Sequence, residues 1–131
     1  MVTYGIDRAQ RLVVITCSGD LTAADLPETQ RRLRADPDFN PSFALLFDVR
    51  QASLAHIDAA TLRRAAAGTP FGAAAPRAYL TSDEAAFGLM RMLQIYSEVK
   101  KFGGPLQVFR DLDSAMAWLR TAAQTGGEAT L

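Results

Sequence analysis

The sequence predicts an α/β sandwich: an opening β-hairpin, then alternating strands and helices around a mostly parallel central sheet. Three observations carry this. Residues 2–6 and 11–18 read as two strands joined by a short polar stretch, Asp7 to Gln10. Phe43 to Phe47 is an apolar run with turn signals on both sides, as in a strand buried on both faces. Helical patterns then alternate with further short strands, the signature of a parallel sheet.

In the second strand Val13, Ile15 and Cys17 point one way, and Leu12, Val14 and Thr16 the other. Both faces are fairly apolar, so this strand is expected inside the sheet, and Gly19-Asp20 ends it. A helix follows over about 22–35. Thr22 could cap it with Asp25 at the third position. Alternatively Asp25 caps it with Glu28, which puts Pro27 in the first turn, where its missing N–H is harmless. The second start suits a loose first turn and a regular helix from Pro27, with Leu26, Thr29 and Leu33 inward. Asp36-Pro37 breaks it. The buried strand, 43–49, leads to a helix over 59–67 capped by Asp58 and closed by Gly68. After a loop over 68–76, a strand spans 77–81. Ser82 or Asp83 caps a long helix to about Lys101, the last strand is 106–109, and Asp111 caps a final helix to about Gln124. The reading is one domain over 1–124 with a flexible tail over 125–131.

Composition narrows the function classes. Apolar residues make up 49% of the 131, which suits a packed core. Fourteen basic residues balance fourteen acidic ones, so charge gives no general pull toward nucleic acid or an anionic membrane. No apolar run approaches the ~20 residues a spanning helix needs. A single cysteine and no apolar leader point to the cytoplasm. No cofactor is expected: there is no Gly-x-Gly-x-x-Gly after a strand, no phosphate loop, and too few Cys and His for a zinc cluster.

Phe43 to Asp48, followed by Asp58-Ala59-Ala60, resembles the centre of the STAS domain, the module of sulfate transporters and anti-sigma-factor antagonists. In that family a buried strand ends in Asp, and a later Asp-Ser-Ser caps the next helix, its first serine being a phosphorylation switch. The matching position here is Ala59, so the resemblance implies the scaffold without the hydroxyl. Ser53 and Thr61 are the nearby hydroxyls that could replace it. The SpoIIAA-like branch, described as STAS/SEC14-like, matches further in Asp36-Pro-Asp-Phe-Asn-Pro, Phe87-Gly-Leu-Met-Arg-Met and Val108-Phe-Arg-Asp-Leu-Asp-Ser-Ala-Met-Ala-Trp-Leu119. With strand order, the likeness covers residues 2–121. It implies a STAS-like fold, a bacterial cytoplasmic setting and no established enzyme activity, with a carrier role for small nonpolar molecules suggested by analogy.

Individual residues give few chemical leads. Asp48 stands where α/β sheets place ligands, at a strand end; it can equally accept backbone N–H bonds in the next loop. His56 is either a proton carrier near the strand ends or a surface loop residue. Cys17, mid-strand, reads as a small apolar residue. Phe109 and Trp118 read as core.

The long helix is richer. At 100° per residue, Ala85, Leu89, Met92, Leu93, Tyr96 and Val99 make a broad inward face. Asp83, Gln94, Glu98 and Lys101 lie opposite, and Phe87 and Met90 fall among them. Two large apolar groups outside the core arc need a cover: a second subunit, an apolar ligand or the Pro70-Phe71 loop. Arg91 could pair with an acid, cap a pocket or sit exposed at the edge. The functional expectation is a non-enzymatic interaction or regulatory module that self-associates as a homodimer, with Phe71, Phe87, Met90, Arg91, Met92 and Gln94 as ligand or interface candidates. The alternative is a carrier of a small nonpolar ligand beside the long helix.

Overall fold

A computed structural model of the chain describes residues 1–100 and 104–129. Among these it holds one five-stranded sheet and four helices. In chain order they are β1 (Val2–Asp7), β2 (Leu12–Asp20), α1 (Asp25–Ala35), β3 (Ala44–Ser53), α2 (Ala59–Ala67), β4 (Arg77–Leu80), α3 (Glu84–Lys100), β5 (Leu106–Phe109) and α4 (Leu112–Ala129). The strands lie in sequence order, with β1 antiparallel to β2 and the other pairs parallel. The expected α/β class and mostly parallel sheet are thus present.

Layering follows from that order. Each parallel crossover advances the sheet in one direction, so crossovers of one hand place their helices on one face. Side chains of α1, α2 and α3 (Leu33, Leu62 and Met90 among them) pack with Val13, Leu45 and Phe47 of the sheet. After β5 no crossover remains, and α4 folds onto the other face, where Ala115 and Leu119 meet Leu12, Leu46 and Leu80. The two-way split of β2 holds: Val13 and Cys17 are fully buried in the first layer, while Leu12 belongs to the second.

Several boundaries differ from the sequence reading. The helix expected from a Pro27 start begins at Asp25. Its flanking residue Ala24 offers no side-chain cap, and Asp25 Oδ2 instead accepts from the Thr22 N–H at 2.8 Å. The strand expected to end at residue 49 runs to Ser53. Pairing with β4 stops at Asp48, but pairing with β2 resumes past an irregularity opposite Thr16/Ser18 and holds the chain extended. The final helix continues to Ala129, past the expected end at Gln124. Lys101, the expected end of the long helix, and residues 130 and 131 of the expected tail lie outside the described residues.

Two contacts show how tightly the loops are held at the strand N-termini. Gly104 lies so close to the backbone of Ala74 and Ala75 that a Cβ there would fall 2.8 Å from each of their carbonyl carbons. The fully buried Arg77 donates from Nη2 to the Gly104 carbonyl at 2.9 Å.

Candidate functional site

Sequence reasoning offered two places for a site: the strand C-termini and the long helix. At the strand ends, Asp48 faces the α4 side and is half-buried. It accepts from Arg50 three times: from the backbone N–H at 3.0 Å, from Nε at 3.1 Å and from Nη2 at 2.9 Å. Burial works against its charge, but the Arg50 hydrogen bonds together outweigh it and hold the carboxyl below its usual range. Asp48 is therefore a satisfied local ion pair. Asp58 is the cap its position predicted. Its Oδ1 accepts from the Thr61 N–H at 2.7 Å, and the bonds from Thr61 lower its pKa. His56 is exposed on the turn before it. No hydrogen bond among the described residues joins these three side chains into a relay.

The nearby hydroxyls are also engaged. Thr61 is buried in the first turn of α2, where its Oγ1 accepts from Arg64 at 3.2 Å. Ser53, half-buried at the end of β3, accepts from the Ala55 N–H at 3.3 Å. Cys17 is fully buried, and burial pushes its thiol up to about 12, far from the range of a reactive thiolate. Among the described residues no group of three His, Cys, Asp or Glu could hold a metal ion.

The long helix is rotated from its expected setting. Met90 is fully buried, and Ala86, Leu93 and Ser97 share its face. Met92 and Val99, expected inside, are 47% and 72% exposed, and Ala85 is exposed as well. The reason lies in the distribution of apolar residues, which occur all round α3, so their mean direction says little about the buried side. Packing against both α2 and β5 decides it. Met90 thus cannot belong to an outward contact. Phe87 is half-buried beneath Arg110, whose guanidinium carbon is 4.1 Å from the ring centroid. In the Pro70-Phe71 loop, Phe71 packs edge-on against Phe39 at 5.2 Å and belongs to the same buried cluster as Met90. Arg91 is exposed, and Gln94 is half-buried, donating to Glu98 at 3.3 Å.

What this rotation leaves outside was not anticipated. Ala85, Gly88, Met92, Ile95 and Val99 are all exposed, Ile95 by 55%, and they recur at spacings of three and four residues. That is the spacing of a helix–helix seam, and it was present in the sequence as a second apolar stripe on the same helix. A monomeric surface helix ordinarily turns polar residues to this side.

The chemistry of a pocket is weaker. Phe71 lines an apolar crevice of about 50 Å³ between α1, α2 and the sheet, together with Leu26, Leu62 and Tyr79. Met92 lines a different cleft, between α2 and α3. Neither of these two cavities is lined by Phe87 or Met90.

The fold has a known counterpart. The chain superposes on the crystal structure of an uncharacterized protein from the DUF3478 family with a SpoIIAA-like fold, from Shewanella loihica PV-4. The TM-score is 0.58 at 21% identity, over 90% of this chain and 93% of that one. The SpoIIAA-like fold read from the sequence is thereby shown. No family model and no curated protein matches the chain. Among the described residues no helix is long and apolar enough to cross a membrane.

Proposed function

We propose that this chain is a non-enzymatic protein-interaction module on a SpoIIAA-like scaffold, docking through the outer face of α3. The observation that carries it is the exposed seam of Met92, Ile95 and Val99. Full burial of such a side chain is worth roughly 1.5–3 kcal/mol, and about half of that or more remains unused at each of these three. The state of the polar residues supports the same reading: the carboxylates at the strand ends are held by Arg50 and Thr61, and the thiol is buried. Ala59, at the first position of α2, has no hydroxyl to phosphorylate, so regulation would use another route than modification at that position.

A photo-crosslinking residue in place of Ile95, in cells expressing the full chain, tests this. A discrete protein adduct that is lost on Met92→Glu, and absent when the crosslinker replaces exposed Glu28, is the expected result. Absence of any adduct at position 95 overturns the reading.

A carrier of a small apolar ligand is the second reading, favoured by the crevice beside Phe71. Its 50 Å³ is small against the roughly 300–1,000 Å³ of ordinary ligand pockets. A lipid-sized guest would require α1 and α2 to part. Native mass spectrometry that retains a bound apolar molecule would move the assignment to this reading.

A further inference from the structure

We infer that the occupant of the α3 face is a second copy of this chain, the two α3 helices running antiparallel across a twofold axis between Met92 and Ile95. The inference rests on the interaction reading above and names its partner. A twofold contact must be complementary to itself, and the outer face of α3 meets that condition on three counts.

Along the seam, an antiparallel pairing sets Met92 of one copy against the partner's Ile95, and Gly88 against the partner's Val99. Gly88 has open space where a Cβ would stand, so the smallest residue of the stripe receives one of its most exposed branched ones. On one flank lie Arg91 and Glu98, both exposed. In the same register Arg91 meets the partner's Glu98, and symmetry repeats the pair with opposite sense. On the other flank lie the half-buried Leu89 and Tyr96, and Leu89 meets the partner's Tyr96. Charge therefore faces opposite charge and apolar faces apolar, twice each. A parallel pairing moves Arg91 away from the partner's Glu98 and so loses the ion pair. Pairing in register about Arg91 would instead oppose two arginines.

The contact is short. Glu84 to Val99 spans roughly 24 Å of helix, less than a standard interface demands, so the dimer should be weak and dissociate on dilution.

Sedimentation of the purified full chain from ~1 to ~200 μM, with circular dichroism to verify folding of each variant, tests the arrangement. The wild type should dimerise toward the upper end. Arg91→Glu and Glu98→Arg should each weaken the dimer by about tenfold, and the double variant Arg91→Glu/Glu98→Arg should restore it. A wild type that stays monomeric, a dimer indifferent to either single change, or a double variant no tighter than the singles overturns the inference. The two readings fail separately. A monomeric chain whose position 95 crosslinks to another protein in cells keeps the interaction module and removes the self-pairing; no adduct and no dimer remove both.

Discussion

The Arg110 guanidinium lies over the ring of Phe87, 4.1 Å from its centroid, and the same guanidinium forms an ion pair with Glu84. The last strand's exit thus clamps the first turn of α3. It also gives Phe87 the cover that its place outside the expected core arc required. Arg110→Ala should lower stability by about 1 kcal/mol, combining an exposed cation–π contact with a surface ion pair. Only the Glu84 part should fade at high salt. Urea titrations at low and high salt, repeated in a Phe87→Leu background, separate the two; equal losses in both backgrounds would mean that the ring contact contributes nothing.

Met90 is a core residue, with no surface exposed. Met90→Ala should cost ~2–5 kcal/mol of folding stability through the cavity it leaves. The oligomeric state at a given folded concentration should not change. Denaturant unfolding together with sedimentation checks both. A variant with native stability and altered association would return Met90 to the surface.

Asp48 and Asp58 both have carboxyl pKa values lowered by folding. A group whose folded pKa lies below its unfolded value of about 3.9 stabilises the protein above that value, and the contribution disappears as pH falls through the folded pKa. Asp48→Asn should therefore reduce stability near neutral pH and flatten the loss between ~pH 5 and ~pH 2. Asp58→Ala should lower the Tm by a few degrees at neutral pH through loss of the α2 cap, with the α3 contact unaffected. Urea midpoints measured across that pH range decide the first; an acid limb identical to wild type would show that the Arg50 pairing does not contribute.

The Cys17 thiol, pushed up to about 12 by burial, should resist alkylation in the native state at about pH 8 and react fully in denaturant. Mass spectrometry after a timed iodoacetamide pulse reads this directly. Rapid native labelling would place the thiol at the surface.

Strand and helix identities were largely legible in the chain, because they depend on neighbours in sequence. The alternation of Val13, Ile15 and Cys17 against Leu12 and Val14 told both faces of β2 apart. Asp58, Asp83 and Asp111 each cap their helix through an N–H three residues on, as local chemistry dictates. The order of elements gave the α/β class, and the motifs that resemble the SpoIIAA-like branch implied the particular fold.

Tertiary structure alone decided where β3 ends and which way α3 turns. Strand length depends on the partner's reach, and β2 carries β3 five residues past its last pairing with β4. The orientation of α3 depends on α2 and β5, which the helix meets only after folding. Its own apolar residues form two stripes, one with Met90 and Leu93, the other with Met92, Ile95 and Val99. Periodicity measures how apolar a face is and cannot choose between two such faces, whereas packing against α2 and β5 buries one and leaves the other in water.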